Sequence, residues 1–167
     1  PWLYNPFTVF GPIAEVPTNH SFIDRPPIDI ITSGDVASVP WLISLSSEEG
    51  LTPVAEFIAN TTAMEDLDKN WEILATHVLD YNYTLPQSQH ATAANKIRKH
   101  YLGNSKIDKS TVVQLTALMG DRGFKTDSAK AAQLMAKANR APVWFYYYSY
   151  RAEFSLSDQY LPNRDNL

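Results

Sequence analysis

The first forty residues combine short apolar pieces with frequent prolines and show no sustained helical period. Proline fixes φ and lacks a backbone N–H, so this region predicts extended segments and turns. Two apolar pieces closed by turn residues are predicted strands, TVFGPIAE (residues 8–15) and IDIITSGD (residues 28–35). The longer apolar run VPWLISLSS, which begins at Val39, predicts a strand that is buried on both faces.

After Gly50 the apolar residues recur at helical spacing. The spacing predicts a helix opened by Thr52 and Pro53, a helix over Glu65–Asp80, a helix over roughly Ser88–Leu102 that closes at Gly103, a helix capped by Asp108 and a helix capped by Asp127. The predicted inward-facing residues are Trp71, Leu74, Ala75, Val78 and Leu79 in the helix over Glu65–Asp80, and Ala94, Ile97 and Tyr101 in the next helix. They are Val112, Leu115, Leu118 and Met119 in the helix capped by Asp108, and Ala131, Leu134, Met135 and Ala138 in the helix capped by Asp127.

The run PVWFYYYSYR that starts at Pro142 is dominated by aromatic residues and valine, which predicts a second buried strand. Two buried strands separated by about a hundred mostly helical residues predict an α/β protein. Its parallel-sheet strands would be interrupted by an inserted helical layer. The length of 167 residues fits a single domain.

Charge and composition exclude several functional classes. The net charge is −4, from 14 basic and 18 acidic residues, so the chain lacks the basic surface that nucleic-acid binding requires. For the same reason the aromatic run Trp144–Tyr148 is predicted to be a core strand and not a stacking platform for single-stranded nucleic acid. No stretch has the roughly 18 to 20 apolar residues of a membrane span.

The absence of cysteine excludes disulfides, thiolate zinc sites and a cysteine nucleophile within the chain. N-glycosylation sequons occur at Asn19, Asn60 and Asn82, and they would carry glycans if the protein enters the secretory route. Secretion and intracellular residence both remain open on this ground. The chain begins without Met or a recognisable signal peptide, which suggests a part of a longer protein.

The other ionisable clusters have structural interpretations. The histidines His20, His77, His90 and His100 lack the i,i+4 spacing of a metalloprotease helix. The carboxylates of Glu65, Asp66 and Asp68 are predicted to open a helix, where they would meet the positive end of its dipole. The sequence contains no G-x-S-x-G and no glycine-rich phosphate loop. If the protein is an enzyme, its nucleophile therefore lies elsewhere.

One feature remains, the sequence Glu48-Glu49-Gly50 at the end of the first buried strand. Loops beyond the carboxyl ends of parallel strands commonly carry functional side chains. A carboxylate there could orient a histidine and stabilise its charged form, if it accepts the imidazole N–H away from water. The alternative is a plain exposed loop that stops the strand.

Four pieces, FGPIAE, IDIITSGDVASVPWLISLSSEEG, MGDRGF and APVWFYYYSYR, together resemble the carboxyl-terminal half of type-B carboxylesterases, the α/β-hydrolase group that includes cholinesterases and insect esterases. The resemblance runs from about Phe10 to Arg151. It implies an α/β-hydrolase fold and ester hydrolysis through a Ser-Glu-His triad with an acyl-serine intermediate. Glu49, immediately before Gly50, matches the triad acid, whereas Glu48 would be a solvated neighbour.

The resemblance also implies what lies outside the chain. The order nucleophile, acid, histidine would put the serine before Pro1 and the histidine after Leu167. The expected partners are a small ester substrate and the remainder of the same esterase chain, with no cofactor. The helices between Glu65 and Arg140 would cover the active site.

Two sequence details favour a subgroup. Vertebrate cholinesterases have a cysteine where this chain has Lys125 and Thr126, which favours an insect esterase. The piece SSEEGL followed by PVAEF is similar to juvenile hormone esterases. Two alternatives remain: a non-catalytic adhesion or binding member of the same fold, and a small helical interaction protein that acts alone. The second is disfavoured because the strands at Val39 and Val143 would lack partner strands.

Overall fold

The computed structural model describes residues 13–153 and Asp158, and this part of the chain is mostly helical with one two-stranded sheet. The elements in chain order are α1 (Pro27–Ser33), β1 (Trp41–Ser46), α2 (Leu51–Ala59), α3 (Thr61–Lys69), α4 (Trp71–Val78), α5 (His90–Tyr101), α6 (Val112–Gly120), α7 (Thr126–Ala138) and β2 (Val143–Tyr148). Short 3₁₀ turns cover Gln87–Gln89 and Lys109–Thr111, and a π-helical turn covers Asp121–Lys125. Of these residues, one compact unit contains Ser46–Lys125, residues 149–153 and Asp158, and the other contains residues 13–45 and Thr126–Tyr148.

The strand predicted over residues 28–35 is wrong, because these residues form α1. Pro27 stands in the first turn, where the fixed φ of proline suits a helix and its missing N–H costs nothing. The Thr32 hydroxyl donates to the Ile28 carbonyl at 2.8 Å, and Gly34 ends the helix in the left-handed conformation. The strand predicted over residues 8–15 lies mostly outside the described residues, and its described end, residues 13–15, forms no regular element.

The sheet consists of β1 and β2. The Trp41 N–H donates to the Pro142 carbonyl at 3.0 Å, so the two strands begin side by side and run parallel. Both predicted strands and the α/β class are therefore confirmed. The predicted burial is wrong within this chain, because Leu42 is 64% exposed and Trp144 is 52% exposed. Two strands alone cannot cover both of their own faces.

The unit that contains Ser46–Lys125 has a continuous apolar core. Its most completely buried side chains are Val54, Leu67, Leu79, Leu115 and Leu118. The inward faces predicted for α5 and α6 are confirmed, since Ala94 is fully buried and the four residues predicted for α6 are all buried. None of the described helices is long and apolar enough to cross a membrane.

The helix predicted over Glu65–Asp80 is two helices that meet at Asn70. This residue has φ −110° and ψ 29°, outside the helical region, and its side-chain amide donates to Asp66 Oδ1 at 2.6 Å. Asparagine competes for local hydrogen bonds in this way and so interrupts helices. The predicted apolar stripe is nevertheless retained on α4, where Trp71, Leu74 and Ala75 are buried.

Three predicted helix starts were tested by the structure. Asp108 does cap a helical start, because its carboxylate accepts the Ser110 N–H at 2.8 Å and the Thr111 hydroxyl accepts the Asp108 N–H in return. Asp127 is not a cap, because the π-helical turn joins α6 directly to α7. The acidic cluster does not open a helix either: α3 begins at Thr61, and the side chain of Asn60 accepts the Ala63 N–H at 3.1 Å.

Asp68, which lies near the carboxyl end of α3, has a different structural role. Its Oδ1 accepts from Arg98 Nη2 at 2.5 Å and from the Ile107 N–H at 2.8 Å. The Arg98 guanidinium also lies 5.9 Å from the ring centre of Trp71, whose indole N–H donates to the Ala94 carbonyl at 2.7 Å. This group joins α3, α4, α5 and the segment before α6.

The surroundings of Asp68 act on its pKa in both directions. Burial raises the pKa, but the hydrogen bonds from Arg98 and the Ile107 N–H, together with the charges of Arg98 and Lys106, outweigh it and lower the pKa below 3.8. A carboxyl group whose pKa is lowered on folding stabilises the fold above its unfolded pKa. That contribution is lost as the pH falls below about 3.8.

We expect Asp68→Asn to lower the free energy of unfolding of the full-length protein by about 2 kcal/mol at pH 7, because it removes a charge-assisted hydrogen bond from a half-buried arginine. Urea denaturation at pH 7 and at pH 3 measures the effect, which should shrink at pH 3. Glu65→Gln is the control on the same helix, since Glu65 pairs with Lys69 at 3.8 Å and its side chain is 69% exposed. Equal effects of the two substitutions would contradict the assigned role.

Candidate active site

Glu48, Glu49 and Gly50 lie in the turn over residues 47–50, which joins β1 to α2. Glu49 is half-buried, and its Oε1 accepts the Ser46 N–H at 2.8 Å. No other described residue hydrogen-bonds this carboxylate, so Oε2 keeps its accepting capacity. The turn therefore fixes one oxygen of Glu49 and leaves the other able to accept a further donor.

Glu48 has a different environment from Glu49. Its side chain is exposed, and its carboxylate accepts from the neighbouring Ser47 hydroxyl. Its backbone carbonyl accepts the Leu51 N–H at 2.9 Å, which is part of the turn into α2. The fold thus distinguishes the two adjacent glutamates by burial and by hydrogen-bond partner.

Gly50 is buried against the end of α6. A Cβ added to this residue would lie 2.0 Å from the Thr116 carbonyl oxygen and 2.4 Å from the Gly120 amide nitrogen. The φ of Gly50 is −73°, which any amino acid can adopt. Glycine is therefore required here by the close approach of two backbones and not by its conformation.

The end of α6 is itself held by polar contacts of the π-helical turn. Asp121 accepts from the Tyr101 hydroxyl at 2.8 Å and pairs with Lys125 at 3.3 Å. Arg122 donates from Nε to the Leu79 carbonyl at 2.7 Å and from Nη2 to the Asp80 carbonyl at 3.0 Å. Burial and the contact with Asp121 raise the pKa of Tyr101 to about 12, so its hydroxyl remains a neutral donor at ordinary pH.

Sequence reasoning identified MGDRGF only as a motif and missed its contact with Gly50. The available signal was Gly120 at the end of a strongly apolar helix, since a glycine in such a place often marks a close backbone approach. A motif about seventy residues downstream gives no indication of which backbone it meets.

None of the three histidines described in the same unit as Glu49 hydrogen-bonds its carboxylate. His20, His77 and His100 are exposed, and the His100 ring packs edge-on against Tyr101. His90 is half-buried, with Nε2 2.9 Å from the Leu85 carbonyl oxygen. These contacts are structural.

The three sequons differ in their surroundings. Asn19 is exposed in a turn, and Asn60 is exposed while its side chain caps α3. Asn82 is half-buried beyond the end of α4, next to Tyr83, which is 91% exposed. The fold therefore leaves each of these segments at least partly accessible.

The described residues offer no metal site that would compete with the Glu49 turn. No group of three or more His, Asp or Glu side chains there could hold a metal ion. An open depression of about 360 Å³ is lined by residues of α3, α4 and α5, among them Asp68, Trp71 and Arg98. Asp68 and Arg98 already pair with each other, and Glu49 does not line this depression.

A family profile and individual known proteins both show that this chain is similar to carboxylesterases. A family profile described as "Carboxylesterase family" matches residues 2–165. Venom carboxylesterase-6 of Apis mellifera is 45% identical over 157 residues, which cover 94% of this chain and 28% of that protein. A carboxylic ester hydrolase of Bombus ignitus is 47% identical, covering 95% and 28%. Esterase E4 of Myzus persicae is 35% identical, covering 93% and 27%. The chain thus spans about 28% of the length of these relatives.

We expect Gly50→Ala to destabilise the full-length protein by about 3 kcal/mol or more, because the new methyl group would overlap with backbone atoms of α6 that no side-chain rotation can move. Thermal unfolding measures the loss. Gly123→Ala is the matched control, since a Cβ at Gly123 would have no atom within 4 Å. A Gly50→Ala protein as stable as the Gly123→Ala protein would contradict the close contact.

Proposed function

Because the chain belongs to the carboxylesterase family, we propose that the protein that contains it is a carboxylic ester hydrolase in which Glu49 is the acid of a Ser-Glu-His triad. The family implies an α/β-hydrolase fold, and a helical chain with a small parallel sheet is consistent with a part of that fold. The chain covers about 28% of the relatives' length, so we assign the serine and the histidine to the rest of the protein.

The proposed reaction needs no cofactor. The serine oxygen attacks the ester carbonyl carbon while its proton passes to the histidine, which then delivers that proton to the leaving alcohol. In the second half of the reaction, water attacks the acyl carbon while its proton passes to the histidine. The histidine then delivers that proton to the serine oxygen as the carboxylic acid leaves. Glu49 would accept the second N–H of the imidazole, fix the tautomer and stabilise the imidazolium.

The position of Glu49 is the observation that carries this proposal. A triad acid must be held still and must keep one oxygen available to the imidazole. Oε1 of Glu49 is occupied by the Ser46 N–H at 2.8 Å, and Oε2 has no partner among the described residues. Gly50 packs against α6 on the other side of the turn, which limits its movement. Glu48 is exposed, and its carboxylate accepts from the side-chain hydroxyl of the neighbouring Ser47 and not from a backbone N–H.

For the substrate, we propose carboxylic esters in general, with juvenile hormone as the narrower candidate. The narrower candidate rests on SSEEGL and PVAEF around Glu49 and α2. Hydrolysis rates of the full-length protein on juvenile hormone and on simple naphthyl esters decide between them. A kcat/KM for juvenile hormone no higher than for the simple esters would remove the narrower assignment.

We also propose that the protein is secreted and carries N-linked glycans at one or more of Asn19, Asn60 and Asn82. The support is the accessibility of the three sequons and the name of one relative, Venom carboxylesterase-6. Protein produced in insect cells should lose mass on treatment with an N-glycosidase, and peptide mass spectrometry should find the modified asparagines. Unmodified asparagine at all three positions in secreted protein would contradict the glycan assignment.

We expect Glu49→Gln in the full-length protein to lower kcat on the order of 10⁴-fold, by analogy with the equivalent change in a serine protease. The amide keeps the shape of the side chain but loses the charge that stabilises the imidazolium. Steady-state kinetics on a naphthyl ester measures the change. Glu48→Gln is the control and should stay within about twofold of the unmodified protein.

Equal and small effects of the two substitutions would refute the role of Glu49. A full-length protein without any esterase activity, despite normal folding, would instead favour a non-catalytic binding member of the same fold.

A further inference from the structure

We propose that Gly120 is a positioning residue for Glu49: the end of α6 sets the location of the catalytic carboxylate through its backbone contact with Gly50. The inference rests on the proposed triad role of Glu49 and adds to it the element that supports the acid. It gives the MGDRGF motif, which the proposed reaction does not use, a role in that reaction.

The contact is formed by two glycines that face each other across the turn and the helix. A Cβ on Gly120 would lie 3.1 Å from the Gly50 nitrogen, and a Cβ on Gly50 would lie 2.4 Å from the Gly120 nitrogen. Because both partners are backbone, neither can rotate away, and the spacing between turn and helix is set by the absence of both Cβ atoms. Any side chain at Gly120 would therefore press on the residue next to Glu49.

The two sides of the contact are not equally free to move. The π-helical turn after Gly120 is tied to α5 by the Tyr101–Asp121 hydrogen bond and to the end of α4 by two hydrogen bonds from Arg122. The Glu49 carboxylate is bonded within its own segment, to the Ser46 N–H. A methyl group at Gly120 would thus displace the turn by a few tenths of an ångström and carry Glu49 with it.

The chemistry of a triad is sensitive to such a displacement, since a misplacement of 1 Å can cost about a hundredfold in rate. The free energy of unfolding should change much less when Gly120 is replaced by alanine. Gly120 lies within a continuous helical run, and alanine is favoured over glycine in a helix, which offsets the steric crowding. Gly120→Ala therefore tests how the position of Glu49 affects the rate, without a large change in the stability of the fold.

The test uses four forms of the full-length protein: unmodified, Gly120→Ala, Glu49→Gln and the double variant. We expect Gly120→Ala to lower kcat about tenfold with KM within about twofold, since it alters the triad and not substrate binding. In the Glu49→Gln background the same substitution should change kcat by less than about twofold, because the carboxylate through which it acts is absent. Gly123→Ala is the control in the same turn, where a Cβ meets no atom within 4 Å.

Three results would overturn the inference: an unchanged kcat in Gly120→Ala, a tenfold loss that persists in the Glu49→Gln background, or a melting temperature that falls in Gly120→Ala but not in Gly123→Ala. The last two would make Gly120 a structural residue only. The failure of the proposed function is distinguishable, because in that case Glu49→Gln alone would leave kcat unchanged.

Discussion

The approach of the Gly50 backbone to the Thr116 carbonyl and the Gly120 amide is the constraint on which the arrangement around Glu49 depends. A Cβ on Gly50 would overlap the backbone of α6, at 2.0 Å from the Thr116 oxygen, and a Cβ on Gly120 would crowd the Gly50 nitrogen at 3.1 Å. Interiors are packed too densely to absorb such an overlap. The contact therefore links the turn after β1 to a helix that begins more than sixty residues later.

Polar side chains hold the elements that support this contact. Asp68 and Arg98 join α3 to α5, while Asp121 and Tyr101 join the π-helical turn to α5. Each pair is partly buried, where an unmatched charge or hydroxyl would be costly, so both partners are needed. π-Helical turns interrupt regular helices and often occur at functional sites. Here the turn lets α6 end at Gly120 while the chain continues at once into α7.

The two strands expose apolar side chains. Trp144, Phe145 and the three tyrosines that follow are each 40% exposed or more, which makes a large exposed aromatic surface. The chain spans about 28% of the length of the relatives that it matches. Buried parallel strands normally have neighbours on both sides. The apolar character of β1 and β2 suits that arrangement better than the exposure they have here.

The sequence by itself determined the features that depend on local periodicity: the apolar faces of α5 and α6, the Asp108 cap, both strands and the turn that carries Glu49. The periodicity was misleading at α1, where the proline and glycine boundaries made a helix of an apolar run, and at Asn70, whose hydrogen bond to Asp66 broke a continuous stripe. Only the tertiary structure gave the two glutamates different burial and hydrogen-bond partners, and only the tertiary structure paired Gly50 with Gly120. The reason is physical, because a steric contact between distant backbones leaves no periodic signal in either segment.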